Sequence, residues 1–367
     1  MNRTAFVAFY TVYPSNMGSS EVSSSFFETW KGQKKLFQIS HLKNINNKII
    51  NTQFIIKEKP IYKILQIIPL VKKVKQFLLE IPKPSIIIEG PSWIGYSFFF
   101  FITAKILIPR AFIIYHSHSI EYEIRKNNSN YFISFLTKIM EKYIFHNVDL
   151  ATSVSVKEKK KINNLYNKET IIFPNGVHLK KLQENNKKIF FHKKYLFYSG
   201  SYLYGPNKQA IDLLNKYFMP KLVEKFPDLK LILTGGGYYN KHSWLINLGI
   251  VPKNYLIKLL KGAQLILAPI YEGYGTRIKI IEALMLGVPV VSSSKGIEGI
   301  DYKFGIFKNP LVHQNKNILL NYAIKVLKNN KLYRKNSKEN KFKYIAIYNM
   351  NEIVKKFQLL INKIRND

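Results

Sequence analysis

The segment from Ala268 to Gly299 reads APIYEGYGTRIKIIEALMLGVPVVSSSKGIEG and decides the fold. Its pattern predicts a strand ending at Ala268, a glycine-containing loop, a helix from about Arg277 to Leu286 and a second strand from Val288 to Ser292. A strand, a loop, a helix and a further strand in this order make the βαβ unit of a parallel sheet. The segment therefore predicts one half of a Rossmann-like domain.

The start of this helix predicts a site for a phosphate group. The backbone N–H groups of Gly275 and Thr276 would point out of the helix start, where the helix dipole favours an anion. Arg277 and Lys279 would add positive charge and hydrogen bonds to a diphosphate. Glu282 lies further along the helix, where a carboxylate can accept two hydrogen bonds from a ribose diol. The alternative is an ordinary Rossmann turn with an arginine and a lysine on the helix surface.

Continuous apolar runs occur on both sides of this segment, each followed by a turn or a helix. Uninterrupted runs of strand length are typical of parallel strands that are covered on both faces. The runs are SIIIE at 85–89, AFIIY at 111–115, YLFYS at 195–199 and LKLILT at 229–234. Their alternation with helical segments predicts an α/β protein with two doubly wound domains.

The domain boundaries follow from a polar stretch rich in lysine and asparagine, Leu182 to Lys194, which predicts a linker. We expect an N-terminal domain at 1–185, completed by a C-terminal helix at 345–367. A C-terminal domain, which carries the predicted phosphate site, is expected at 186–344. The length of 367 residues suits two such domains.

The composition excludes several kinds of chemistry. The chain has no cysteine, so disulfides, thiolate metal sites and a cysteine nucleophile are excluded. Its eight histidines show no metal-ligand spacing such as HExxH, so no metal site is expected. The start of the chain, MNRTAFVAFYTVYPS, is interrupted by polar residues and predicts a first strand, not a signal peptide.

The net charge of +35 favours contact with polyanions. Anionic membrane, nucleic acid and phosphorylated substrates all fit such a charge. Residues Pro60 to Ile81 mix lysine with apolar residues at helical spacing, which predicts either a basic helix on an anionic membrane or a surface helix with a solvated basic face. The most apolar segment, Tyr96 to Ile108, is too short to span a bilayer and predicts a buried helix.

The sequence resembles the family 4 retaining glycosyltransferases of the GT-B fold. Many members carry a glycine loop, then Gly-Thr-Arg-x-Lys-x-x-Glu-Ala, then Gly-x-Pro-Val-Val. Here the first motif runs from Gly275 to Ala283 and the second from Gly287 to Val291, followed by Gly-Ile-Glu-Gly at 296–299. The resemblance implies two Rossmann-like domains that face each other across a cleft, the N-terminal one on the acceptor side and the C-terminal one binding the nucleotide sugar. It also adds support to the phosphate site.

Further motifs extend the resemblance to most of the chain. Gly200 with the Gly-Pro-Asn at 205–207 looks like the first strand and loop of the family's C-terminal domain, and 174–177 looks like its Pro-Asn-Gly-Val. Gly18 stands at the N-terminal glycine loop, near the phosphates and the acceptor. His118, in His-Ser-Ile-Glu, resembles the histidine that lies beside the donor sugar; His116 is a weaker candidate. The resemblance implies a catalytic role for His118 and donor-binding roles for both glycines.

One departure concerns the first of two glutamates that many members carry with seven residues between them. Nine residues separate Glu272 from Glu282, and Tyr274 occupies the expected first position. Glu272 then either takes the catalytic role through a longer loop or is simply exposed. Both alternatives remain open from the sequence.

The function implied is that of a metal-independent, hexosyltransferase-like glycosyltransferase. It would move a sugar from a UDP- or GDP-linked donor to an acceptor hydroxyl with retention of configuration, needing no cofactor. The expected setting is lipopolysaccharide or polysaccharide assembly in the cytoplasm, with a glycan or lipid-linked acceptor and a peripheral contact with the anionic inner face of the membrane. No nucleic acid is expected as a partner.

Two alternatives belong to other classes. A nucleotide-sugar epimerase on the same fold would need more acid and base groups than the motifs supply. A non-enzymatic binder of nucleic acid or membrane would explain the charge, but the sequence shows no nucleic-acid module and such a role leaves the glycine-helix phosphate site without a purpose.

Overall fold

The computed structural model describes residues 3–13, 15, 18–40, 50–55, 60–90, 92–183, 194–301 and 309–366. The chain divides into two compact units, Met1–Gly176 with Met350–Asp367 and Val177–Asn349. The sequence-based boundaries lie at 185/186 and 344/345, and most of the predicted linker lies outside the described residues. The two ends of the second unit meet, because the N–H of Val177 donates to the carbonyl of Tyr348 at 2.8 Å.

The first unit is built on a parallel sheet. Within the described residues its strands are β1 (Arg3–Ala8), β2 (Gln33–Ser40), β3 (Ile50–Ile55), β4 (Ser85–Glu89), β5 (Phe112–His116), β6 (Leu150–Ser153) and β7 (Ile171–Ile172), in the spatial order β3-β2-β1-β4-β5-β6-β7. The order reverses between β1 and β4. In open α/β sheets, ligands bind beyond the carboxyl ends of the strands at such a switch point.

Helices cover this sheet. They are α1 (Gly18–Thr29), α2 (Pro60–Leu65), α3 (Ile67–Leu78), α4 (Ile94–Leu107), α5 (Glu121–Asn128), α6 (Tyr131–Asn147) and α7 (Val156–Tyr166). The predicted basic helix at 60–81 is thus two helices, α2 and α3. The apolar side of α3 is buried, including Leu70 and Val74, and its three lysines at 72, 73 and 75 are exposed. Most of the apolar side of α3 therefore belongs to the core, and its exposed side carries the three lysines together with Ile68.

The second unit contains two three-stranded parallel sheets. Its strands are β8 (Tyr195–Ser199), β9 (Lys230–Thr234), β10 (Leu245–Asn247), β11 (Ile266–Ala268), β12 (Val290–Ser292) and β13 (Leu311–Val312), in the orders β10-β9-β8 and β11-β12-β13. A parallel bridge between Leu196 and Leu265 links the two. This unit is therefore also Rossmann-like, as the sequence predicts.

The helices of the second unit are α8 (Leu179–Gln183), α9 (Gly205–Leu213), a π-helical turn (Leu214–Phe218), α10 (Met219–Val223), α11 (Lys253–Gly262), α12 (Ile278–Met285), α13 (Lys316–Lys328) and α14 (Asn330–Tyr348). The last helix, α15 (Met350–Asn366), belongs to the first unit, where Phe357 packs against Phe26 and Phe173. Among the described residues, no helix combines the length and apolar character needed to cross a bilayer.

Candidate functional site

In the second unit, the carboxyl ends of β8 and β9 lie against each other with almost no room for side chains. A Cβ at Gly235 would lie 2.3 Å from the carbonyl oxygen of Gly200, and Gly235 has φ +118°. A Cβ at Gly200 would lie 2.6 Å from the side chain of Asn207. Gly235 therefore requires glycine, whereas a side chain at Gly200 would displace the side chain of Asn207. The absence of side chains at both positions leaves the backbone of these loops open to a ligand.

The glycine loop before α12 is organised by its own arginine. Gly273 and Gly275 have φ +95° and +75°, which glycine adopts at no steric cost. The guanidinium of Arg277 donates to the carbonyl oxygens of Tyr274 at 2.5 Å, Gly275 at 2.6 Å and Glu272 at 3.0 Å. These bonds fold the loop around Arg277, so the structure gives this residue a loop-ordering role that the sequence does not predict.

The start of α12 carries a hydroxyl whose hydrogen-bonding capacity is unused. Thr276 Oγ1 is buried and has no hydrogen-bond partner among the described residues. Helix α12 begins at Ile278, one residue later than the sequence predicts. Arg277 is its N-cap residue and makes no capping hydrogen bond with its side chain. A buried hydroxyl without a partner is costly, and an anion at the helix start would satisfy it.

Lys279 reaches from α12 to the end of β8. Its Nζ donates to the carbonyl oxygen of Ser199 and to Oδ1 of Asn207, each at 2.8 Å, and lies 4.0 Å from the centre of the Tyr198 ring. Burial, with a further contribution from the charge of Arg277, lowers the pKa of Lys279 to about 7. The structure thus brings the predicted Lys279 beside the loop that begins at Gly200.

Glu282 is fixed by a partner from another helix. Its carboxylate is 2% exposed and accepts from Nζ of Lys253, the first residue of α11, at 2.5 Å. Lys253 is a residue that the sequence analysis missed, since a lysine at the start of a basic helix carries no distinguishing pattern. The ion pair orients the carboxylate that we expect to accept hydrogen bonds from a ribose diol.

Glu272 is exposed and lies at the rim of the same loop. Its Oε1 accepts from Nε2 of Gln209 at 3.0 Å, and the other amide atom of Gln209 accepts from the N–H of Tyr271 at 3.3 Å. Gln209 therefore ties α9 to the glycine loop, a contact that spacing in the sequence does not reveal.

In the first unit, Glu89, His116 and His118 lie together at the carboxyl ends of β4 and β5. The register pairs Glu89 with His116, so the two side chains leave adjacent strands at the same level. Nδ1 of His116 lies 3.2 Å from Glu89 Oε1, and Nε2 of His118 lies 2.9 Å from Glu89 Oε2. All three side chains are buried. The sequence motifs point to the two histidines but not to Glu89. A polar residue at the end of the neighbouring apolar strand is the feature that could have indicated Glu89.

Helix α1 completes this cluster. It begins at Gly18, which is exposed and has open space where a Cβ would lie, and it places Ser23 over Glu89. Ser23 Oγ donates to Glu89 Oε2 at 2.5 Å and accepts from the Tyr10 hydroxyl at 2.5 Å. The helix that begins at the predicted Gly18 therefore also contributes Ser23 to the histidine cluster.

The protonation of the cluster follows from its hydrogen bonds. Burial alone would raise the pKa of Glu89, but the charge of His116 and the hydrogen bonds from His116 and His118 outweigh it, so the pKa lies well below its usual range. Burial, together with repulsion by His116, lowers the pKa of His118. Because an ionised carboxylate only accepts, Nε2 of His118 carries the proton and Nδ1 of the neutral ring becomes an acceptor.

The same three residues have the donor set of a metal site. One ligand atom from each of Glu89, His116 and His118 lies within 4.8 Å of the other two. The carboxylate is hydrogen-bonded to both imidazoles, and the buried Nε2 of His116 has no partner among the described residues. The hydrogen bonds to Glu89 explain why the two imidazoles lie close together. The same three residues would also suit a divalent cation that prefers imidazole ligands.

Comparison with known proteins gives a match over part of the sequence and a likeness of the whole fold. Residues 193–328 match the family model described as "Glycosyl transferases group 1". No curated protein matches the sequence. Sucrose-phosphate synthase from Thermosynechococcus elongatus superposes with a TM-score of 0.69 at 16% identity, over 100% of both chains.

Two further solved structures are similar along their whole length. HepE from Anabaena, in complex with UDP-glucose, gives a TM-score of 0.67 at 13% identity, covering 98% of this chain and 99% of that one. A glycosyltransferase from Rickettsia africae ESF-5 gives 0.68 at 13% identity, covering 100% and 99%. At such identities the likeness shows the fold, which is the GT-B fold with two Rossmann-like domains. The chain therefore has the GT-B fold, and its residues 193–328 match the model of the group 1 glycosyl transferases.

Proposed function

We propose that the protein transfers a hexose-like sugar from a UDP- or GDP-linked donor to an acceptor hydroxyl with retention of anomeric configuration. The observation that carries this proposal is the start of α12. There the Thr276 hydroxyl is buried without a partner in the part of the chain that the structure describes, Glu282 is held by an ion pair, and Lys279 is partly buried beside the loop that begins at Gly200. All three residues lie inside the segment that matches the group 1 family. HepE, which shares the fold, is solved with UDP-glucose, UDP and UDP with glucose.

The roles follow from the chemistry of the transfer. The bond between the anomeric carbon and the diphosphate breaks, and the acceptor oxygen bonds to that carbon. Negative charge grows on the leaving diphosphate, and Lys279, the Thr276 hydroxyl and the N–H groups at the start of α12 would stabilise it. Glu282 would accept from the ribose diol. Arg277 would act by holding the glycine loop in shape.

His118 and Glu272 are the proposed catalytic residues. Nδ1 of neutral His118 would accept a hydrogen bond from a donor-sugar hydroxyl, with Glu89 holding the ring. Glu272 would take the place of the family's first glutamate, reaching the sugar from the rim of the loop. Gly18 and Gly200 have no side chains, so the donor could approach the backbone at these two positions closely.

The setting that we propose is cell-surface glycan assembly on the cytoplasmic side of a membrane, with a glycan or lipid-linked acceptor. No resident cofactor or metal takes part in this proposal. The basic surface suits an acceptor carried by an anionic bilayer.

Turnover without metal tests these finer claims. The protein is incubated with UDP- and GDP-sugars and a lipid-linked or free glycan acceptor in EDTA, and the product is followed by NMR. We expect a glycoside with the anomeric configuration of the donor, formed at the same rate with and without EDTA. An inverted product would overturn retention, strict dependence on a divalent cation would overturn metal independence, and an epimerised donor would favour the epimerase.

A further inference from the structure

Helix α6 is amphipathic in the reverse of the usual sense. Its buried side carries Ser134, Thr137 and Glu141 together with Ile144 and Phe145. A helix on an α/β domain ordinarily turns its apolar stripe to the core and its polar side to water. Here polar side chains lie inside, and large apolar side chains lie outside.

The exposed apolar side chains of α6 recur at helical spacing and continue onto α4. We call this set the aromatic face: Phe132 (67% exposed), Phe135 (49%), Ile139 (49%) and Tyr143 (41%) of α6, with Phe99 (37%) and Ile106 (72%) of α4. The ring of Phe98 lies between the two helices, 5.5 Å from Phe99 and 5.4 Å from Tyr143. Isolated exposed apolar residues are normal on a protein surface, but a contiguous face marks an interaction site.

Hydrogen bonds on the inner side fix the rotation of α6. The carboxylate of Glu141 accepts from the backbone N–H groups of Glu121 at 2.8 Å and Tyr122 at 3.0 Å and from the hydroxyl of Tyr166 at 2.6 Å. The Trp93 indole donates to Thr137. Turning α6 to bury its aromatic side would break these bonds and expose the start of α5. The outward direction of the aromatic face is therefore built into the fold.

The exposed lysines that α6 carries beside the aromatic face make this part of the surface positive. Lys138 and Lys142 are exposed on the flank of the same helix, and Glu141, the acidic residue of α6, is buried. Aromatic and apolar residues that enter a headgroup region, flanked by lysines that attract acidic lipids, are the pattern of a helix lying in a membrane interface. A symmetric contact between two copies would set lysine against lysine with no exposed acid on α6 to pair with them.

We propose that the aromatic face docks the protein on an anionic lipid bilayer, with α6 lying in the interface plane. This proposal deepens the proposed function and rests on it for the idea of a lipid-linked acceptor. It assigns the membrane contact to α6 and α4, whereas the basic helix α3 has its apolar side in the core.

Vesicle sedimentation tests the docking surface. Vesicles of phosphatidylglycerol and phosphatidylcholine are compared with vesicles of phosphatidylcholine alone, at low and high salt. We expect the protein to bind the anionic vesicles more tightly, and Phe132→Ser with Ile139→Ser to weaken that binding by at least about tenfold, since two apolar side chains leave the bilayer. Lys138→Gln with Lys142→Gln should reduce the preference for anionic lipid.

Matched controls come from elsewhere in the chain. Leu332→Ser with Phe342→Ser removes two apolar side chains of similar exposure, 51% and 66%, from α14 and should leave vesicle binding unchanged. Lys72→Gln with Lys73→Gln removes two exposed lysines of α3 and should have a smaller effect than the α6 pair.

Three outcomes would overturn the proposal. In the first two, the wild-type protein fails to bind anionic vesicles, or the α6 variants bind them as tightly as the wild type. The third outcome is a wild-type dimer that dissociates in the Phe132→Ser, Ile139→Ser variant while vesicle binding is unchanged. Nucleotide binding by the same samples, measured without vesicles, reports on the transferase separately. A failed docking surface and a failed donor site are thereby told apart.

Discussion

The carboxylate of Glu89 is hydrogen-bonded to both His116 and His118, and this contact determines the tautomer and the ring orientation of His118. Since Nε2–H of His118 donates to Glu89, Nδ1 faces away from the carboxylate as an acceptor. We therefore expect Glu89 to be a positioning residue, whose effect on catalysis passes through the orientation and tautomer of His118.

Replacing Glu89 should lower turnover without weakening donor binding. We expect Glu89→Gln to lower kcat by about ten- to hundredfold, because a misoriented imidazole no longer meets the sugar, while KM for the donor stays near that of the wild type. The control is Glu141→Gln, which alters a second fully buried glutamate of the same unit with three hydrogen bonds of its own. Equal losses of kcat in the two variants would show that Glu89 serves the fold alone.

Lys279 gives donor binding a pH dependence with a definite sign. Its pKa of about 7 is below the ordinary value for lysine, so the side chain loses its proton as the pH rises through neutrality. A bound diphosphate favours the protonated form and raises the pKa. Affinity for a nucleotide sugar should therefore be level below pH 7 and fall above it by up to about tenfold per pH unit.

Titration calorimetry with a UDP- or GDP-sugar between about pH 6 and 8.5 measures this effect. The diphosphate of a nucleotide sugar keeps its charge over that range, so a pH dependence reports on the protein. Lys279 is the group of α12 whose pKa lies near neutrality. Lys279→Arg supplies the control, because a guanidinium stays charged and should flatten the profile. Affinity that rises with pH, or that falls equally in Lys279→Arg, would contradict this role.

The residues that sequence reasoning found differ in kind from those that it missed. Lys279 and Glu282 lie within one helix, and their spacing is visible along the chain. Glu89, Lys253 and Gln209 act on residues 27 or more positions away, and those partners are set by strand register and helix packing. Pairings of this kind depend on tertiary structure, which the order of residue types does not specify.

At the scale of elements, α12 ends in a Schellman motif that requires its glycine. Gly287 has φ +67°, its N–H donates to Leu284 O at 3.1 Å, and the N–H of Val288 donates to Ala283 O at 2.9 Å. A Cβ on Gly287 would lie 2.9 Å from the Cα of Lys338 in α14. The glycine of the Gly-Val-Pro-Val-Val motif thus lets α12 end against α14 and positions the following strand.

Gly287→Ala should destabilise the second unit. We expect a loss of about 1–3 kcal/mol in the free energy of unfolding, from left-handed backbone strain and the contact with Lys338. Urea unfolding followed by circular dichroism measures it. Gly205→Ala is the control, since Gly205 has open space at its Cβ and no positive φ. A Gly287→Ala protein as stable as the wild type would contradict the assignment.

The elements themselves are well predicted where the chain has continuous apolar runs. β4 lies at the predicted residues 85–89, β8 at 195–199, and α12 differs from prediction by one residue at each end. The reversed helix α6 is the informative exception, and the sequence analysis makes no prediction for it. Its apolar residues do not specify which side faces the core, because the hydrogen bonds of Glu141 decide the rotation.

At the scale of the whole molecule, the fold follows from the repeated βαβ pattern, and the net charge of +35 does not affect it. The charge bears on partners instead. It suits a diphosphate at the start of α12 and an acidic bilayer at the aromatic face. These are separate sites on separate units, so each is open to its own test.

The central claim is that the second unit binds a nucleotide sugar at the start of α12, and thermal unfolding in EDTA tests it most directly. UDP, GDP, ADP, CDP and their common sugar conjugates are added to the wild type, to Glu282→Ala and to the exposed control Glu224→Ala. We predict that UDP or GDP and its conjugates stabilise the wild type and the control, by an amount that grows with concentration, and leave Glu282→Ala unshifted. If no nucleotide stabilises the wild type, or if Glu282→Ala responds as the wild type does, the claim is wrong.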